Sequence, residues 1–223
     1  MNRYYLGLDL GQVQDYTALC IIETEPSADP LHKIRHLQRF KIGTPYPAIV
    51  SEVHNILDVL PAGTSLVVDH TGVGRPVVDL FRAGGLSPVA VTITGGDNAT
   101  FEGGYWRVPK RDLVSALTIA FQNKRLQIAE ALPESKTLVT ELLNFKVKIN
   151  LKTAHDSYEA WREGIHDDLV LAVALAVWYS RKTKRNLENE PTVQEAVVNS
   201  IQATRYDDDM SFFDDPYDLE DLW

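Results

Sequence analysis

Two short apolar runs that close on an aspartate, and one long apolar run that opens on a pair of them, restrict how the elements of this chain can be arranged. The first run is residues 4–10 (YYLGLDL), with Asp9 near its end, and the second is residues 65–69 (SLVVD), ending on Asp69. The third, residues 166–176 (HDDLVLAVALA), begins His166-Asp167-Asp168 and continues at helical length to about Thr183. Short apolar strands without alternation belong in the interior of a sheet covered on both faces. In open α/β sheets, sites lie outside the carboxyl ends of the strands. A helix that starts at that end delivers its first-turn acids to the same crevice.

The segments between these landmarks fill in an α/β domain. Residues 16–24 (YTALCIIET) and 34–42 read as two further strands, and the short gaps make an antiparallel meander of three. Residues 45–60 place Ile49, Val53, Ile56, Leu57 and Leu60 on one helical face. Residues 76–83 form a helix closed by Gly84-Gly85, and residues 88–94 form the next strand. Strand, helix, strand with apolar strands implies parallel pairing through a crossover helix. The glycine-rich stretch 95–106 reads as a surface loop near a site. Residues 110–123 read as an amphipathic helix, 126–129 as a short edge strand, 133–143 as a helix and 145–151 (FKVKINL) as an alternating strand.

Charge divides the chain unevenly. From Leu187 onward there are eleven acids and one base, a net of −10, whereas residues 1–186 hold twenty acids and twenty-one bases, a net of +1. We therefore expect a globular domain over 1–186 and an acidic, largely disordered tail over 187–223. The overall charge of −9 does not exclude a nucleic-acid partner, because such a partner meets the near-neutral body. No apolar run reaches the roughly 18 residues of a membrane span, and residues 1–3 lead directly into a strand pattern, so neither a span nor a secretory signal is expected. The lone cysteine, Cys20, sits in an apolar run and excludes an internal disulfide or a thiolate zinc cluster. That usage suits a reducing compartment such as the cytoplasm.

Asp9, Asp69, Asp167 and Asp168 converging on one crevice would repel one another and be driven toward their protonated forms. A hard divalent cation removes the conflict, and magnesium or manganese takes oxygen ligands. Two such ions about 4 Å apart suit phosphodiester hydrolysis. Taken singly the acids are ordinary: an aspartate before a glycine serves turns, and Asp167 and Asp168 serve equally as helix caps. Their order along the chain is what points to a site. Asp15 fits a turn or an orienting role, and His166 fits a cap or a group behind the acids. Arg107, Lys110 and Arg111, and Lys146, Lys148 and Lys152 farther along, are candidate phosphate contacts.

The segments GLDLGQVQDYTA (7–18), VVDHTGVGRPVVDLF (67–81), VPKRDLVSAL (108–117), LLNFKVKI (142–149) and REGIHDDLVLAVALA (162–176) resemble, in order, the motifs of phage terminase large-subunit nuclease domains. The resemblance spans about residues 4–182. It implies a ribonuclease H-like fold: a mixed sheet with an antiparallel three-strand meander first, then parallel strands, flanked by helices. It further implies two-metal cleavage of double-stranded DNA, with Asp9, Asp69 and Asp167 or Asp168 as ligands. Related junction resolvases often carry another acid three residues beyond Asp168, where this chain has Leu171. The chain lacks a GxxxxGK[ST] phosphate loop, so the ATP-driven motor of such subunits is not expected in it. GLDLGQ also resembles the first phosphate loop of actin-like ATPases and sugar kinases, but these need two such domains around the nucleotide. A junction resolvase is a further alternative. The tail interleaves acids with Phe212, Phe213, Tyr217, Leu219, Leu222 and Trp223. That pattern suits docking on a partner such as a portal or other packaging protein, or covering the nuclease's own DNA groove.

Overall fold

In the computed structural model, residues 1–12, 15–151 and 167–188 are described. The chain divides into two units, Met1–Lys182 and Thr183–Trp223. The first holds the whole sheet. Of the second, only the end of one helix falls among the described residues, so most of the acidic tail lies outside them.

The apolar first run forms β1 (Arg3–Asp9), which pairs antiparallel with β2 (Ala18–Thr24). β2 pairs antiparallel with β3 (His32–Arg39), completing the expected meander. On its other side β1 pairs parallel with β4 (Ser65–Asp69), which pairs parallel with β5 (Val89–Thr94). Both parallel steps pass through helices, α1 (Tyr46–Val59) before β4 and α2 (Arg75–Ala83) before β5. A hairpin of β6 (Thr100–Glu102) and β7 (Tyr105–Pro109) adds to β5 through β7, and β8 (Leu126–Ile128) closes the other edge against β3. The order is β6-β7-β5-β4-β1-β2-β3-β8. The remaining helices are α3 (Lys110–Gln122), α4 (Ser135–Leu151) and α5 (Asp168–Glu188).

Two expectations are corrected. The stretch 95–106 is not all loop: Gly103 and Gly104, with φ of 60° and 84°, make the tight turn of the β6–β7 hairpin. A paired-glycine turn suits the twist of antiparallel strands. Residues 145–151 are not a strand but the end of α4. Leu138 and Leu142, four residues apart, pack against the core on one face of that helix, and the chain continues in the conformation already set. Lys146 and Lys148 thus sit on a helix, where positions two apart do not share a face. Their side chains lie outside the described residues, as do Lys152 and His166.

Side chains that alternate along the strands build a core on each face. One face packs Leu6, Leu8, Val68 and Leu66 against Ile49, Val53, Val77 and Phe81 of α1 and α2. The other packs Tyr5, Cys20, Val67 and Val91 against α3, α4 and residues Leu169 to Trp178 of α5. Gly7 lies on this second face, where α5 crosses β1 so closely that a Cβ would run into the Ala172 carbonyl oxygen and come within 3.2 Å of Ala176 Cβ. The small residues of α5 and the glycine of β1 set the depth at which α5 sits.

Candidate active site

Asp9 and Asp69 end neighbouring parallel strands and are register partners, so the two carboxylates emerge side by side at the carboxyl edge of the sheet. Alternation places both on the α5 face: Leu8 and Val68 pack toward α1 and α2, and the next residue points the other way. Both are buried, at 8% and 6% exposure. Thr71 holds Asp69 by donating its backbone N–H at 2.8 Å and its hydroxyl to Oδ1, and the same hydroxyl accepts the Ile93 N–H at 2.7 Å. The end of β4 is thereby tied to β5. Gly72 and Gly74, with φ of 85° and 79°, turn the chain from Asp69 into α2. The loop after β1 is tied to this turn, because the Gln12 side-chain amide donates to the Gly72 carbonyl at 3.1 Å.

α5 supplies the second pair of acids. Asp167 stands just before the helix, and its carbonyl accepts the Leu171 N–H at 2.9 Å. Asp168 is the first helical residue and is 7% exposed. Burial raises the Asp9 carboxyl well above the ordinary range, and the charges of Asp69, then Asp168, then Asp167 push it further. Lys110 opposes them, and its Nζ lies 3.8 Å from Asp167 Oδ2. All four aspartates therefore act electrostatically on one place, and Asp168 acts on Asp9 more strongly than Asp167 does. Among the described residues, no three carboxylate, imidazole or thiolate groups stand close enough in this conformation to ligate one ion.

Two residues unmarked in the sequence join the cluster. Glu141, on α4 and 5% exposed, accepts the Val170 N–H at 3.1 Å, so it caps the first turn of α5. Its other oxygen binds Arg39, the last residue of β3, whose guanidinium also lies 3.6 Å from Asp168 Oδ2. Arg39 is largely buried and stacks on the Tyr16 ring at 4.8 Å, and its Nε has no hydrogen-bond partner among the described residues. Burial pushes the Glu141 carboxyl up to about 7, with Asp168 and Asp167 adding and Arg39 and the Val170 N–H opposing.

The other sequence candidates are scattered. Asp15 is exposed and its N–H donates to the Gln12 carbonyl at 2.9 Å, within the loop after β1. Arg111 pairs with Asp97 at 2.9 Å and lies 3.9 Å from Asp112. Arg107 is exposed on β7. Trp106 is a packing residue, edge-on to Trp178 of α5 with ring centroids 5.6 Å apart.

The mixed sheet, its meander followed by parallel strands, and the carboxylates at the switch between them define a ribonuclease H-like fold. Among solved structures it is similar to the large terminase nuclease of the thermophilic phage G20c, at 20% identity over 81% of this chain and 82% of that one, with a TM-score of 0.53. The manganese-soaked terminase nuclease domain of human cytomegalovirus matches at 15% identity over 79% and 83%, with a TM-score of 0.49. Thermus thermophilus RuvC matches at 14% identity over 82% and 96%, with a TM-score of 0.39. No protein-family model and no curated protein matches the chain.

Proposed function

We propose that the chain is a metal-dependent endonuclease that cleaves double-stranded DNA, as in phage genome packaging but without the motor. The observation that carries this reading is the Asp9–Asp69 register pair, with Asp168 and Asp167 acting on Asp9 from the start of α5. An all-oxygen donor set with excess negative charge fits magnesium or manganese. Asp9, Asp69 and Asp168, with Asp167, would hold the metal, and an ion pair bound there supplies Lewis-acid assistance to phosphodiester hydrolysis. Thr71 fixes the rotamer of Asp69 for that task. Residues 1–186 form the nuclease domain in this reading. The acidic stretch 187–223 is an appendage for a packaging partner or for restraint of the nuclease.

Incubation of supercoiled plasmid with the purified chain in magnesium, manganese or chelator, with Asp69→Asn in parallel, tests the proposal. Nicking and linearisation that need metal and disappear in the variant are expected. A folded protein that cuts nothing at high manganese sinks the nuclease reading and leaves a binding module.

A further inference from the structure

Five carboxylates that act on one another at the carboxyl end of the sheet repel a polyanion, so a nuclease built on this site needs cations beside it. Two of the cations named from the sequence are already engaged: Arg111 pairs with Asp97, and Lys110 faces Asp167. The α2 face of the sheet supplies others. Arg75 and Arg82 stand two turns apart on α2, and both guanidinium groups lie over the Tyr105 ring, 5.1 and 5.2 Å from its centroid. Arg82 also donates to the Tyr105 hydroxyl at 3.1 Å and pairs with Asp79 at 3.2 Å. Arg75 is exposed and has no hydrogen-bond or carboxylate partner among the described residues.

The same face carries a third arginine. Trp106 and Val108 pack into the α5-side core, so Tyr105 and Arg107 point to the α2 side. Arg107 is exposed and is the register partner of Thr92 on β5. Thr92 in turn meets His70 Nε2 at 3.2 Å, and the His70 ring is edge-on to Tyr105 with centroids 5.2 Å apart. His70 follows Asp69 directly. The carboxylates beside the three arginines are Asp79, engaged by Arg82, and Glu102, the register partner of Tyr105. Holding like charges around one ring with a single engaged carboxylate adds little to stability and suits an anion from outside. A guanidinium presents paired donors that match a phosphate.

Building on the nuclease reading, we propose that Arg75 and Arg82 over the Tyr105 ring, with Arg107 on the same strand face, grip backbone phosphates of the DNA on the α2 side of the Asp9–Asp69 pair. The contacts carry no sequence information. They fix the duplex so that a phosphodiester farther along the strand reaches the acids.

Fluorescence anisotropy of a labelled duplex tests this, with the full chain in chelator to prevent cutting and at several salt concentrations. Arg75→Ala alone removes an exposed charge that has no carboxylate partner among the described residues and only the Tyr105 ring beneath it, and should fold as the wild type does. Arg75→Ala/Arg82→Ala is expected to weaken binding about 10-fold or more at low salt and to flatten the log–log salt dependence by roughly two phosphate contacts. Arg125→Ala, at the opposite sheet edge where Arg125 pairs with Asp29, is expected to stay within about 2-fold of the wild type, as a charge outside the interface does. Wild-type affinity and slope in Arg75→Ala and in the double variant would overturn the patch and leave the nuclease reading standing. Absence of duplex binding by the wild type at low salt would overturn both.

Discussion

Glu141 shows how much of a site can hide in one side chain. In the sequence it is an acid between threonine and two leucines, the pattern of a solvated helix face. Its burial depends on Arg39, 102 positions away, and on the first turn of α5. Nothing local announces either contact. Asp9 and Asp69 were legible because an acid that ends an apolar strand and meets a glycine turn has few other places to go. The sequence leaves Asp167 and Asp168 open, since the choice depends on the rotation of α5; in the structure both charges raise the Asp9 carboxyl, that of Asp168 more than that of Asp167. The Glu141 carboxyl, pushed up to about 7 from an ordinary 4.5, binds its proton more tightly in the folded chain than in the unfolded one. Its favourable contribution is complete below the unfolded value and is lost as pH rises to about 7. In chelator, Glu141→Gln should therefore gain on the wild type between pH 4.5 and 8. The gain is on the order of 2–3 kcal/mol, or several degrees in melting temperature. Melting curves for the two proteins across that range decide it, and a constant difference at every pH means the carboxyl titrates normally.

Among the elements, the contact between β1 and α5 governs the geometry of the site. Gly7 admits the Ala172 carbonyl, and Asp9 lies two residues further along the same face of the strand. Gly7→Ala is expected to cost about 3 kcal/mol, at the upper end for overpacking, because the obstacle is backbone rather than a yielding side chain. A fall of the urea midpoint that corresponds to that loss at unchanged m-value is the check. An unchanged midpoint would show that α5 can lift without loss. The meander, the crossover helices and β8 follow from apolar periodicity and short gaps. The β6–β7 hairpin was hidden because its strands are only three and five residues long and its glycines also read as loop. Alternation in FKVKINL suggested a strand, but the helix already running from Ser135 prevailed, since β-branched residues disfavour a helix only weakly.

At the scale of the whole molecule, charge is segregated along the chain. Residues 205–223 hold eight acids and one base, against a body of nearly zero net charge. Removing them should strengthen duplex binding at low salt, and the gain should vanish above about 0.5 M salt, where screening is short-ranged. Titrations of both forms at two salt concentrations measure this; equal affinity at low salt would mean the tail does not act on the DNA surface. The antiparallel meander, the parallel crossovers and helices flanking the sheet were readable from the sequence as a class of fold. The arginines around Tyr105 were not, because their grouping exists only once α2 and the hairpin lie on the same face.

The crossing of Gly7 by Ala172 also has a consequence for synthesis. The first strand leaves the ribosome well before the helix that covers one of its faces, because β1 ends at Asp9 and α5 begins at Asp168. Until α5 arrives, Tyr5, Cys20, Val67 and Val91 lack most of their covering layer, and the acids of the two elements cannot meet. Between the synthesis of β1 and that of α5 the growing chain must keep an apolar sheet face from sticking to its neighbours, an interval in which aggregation competes with folding.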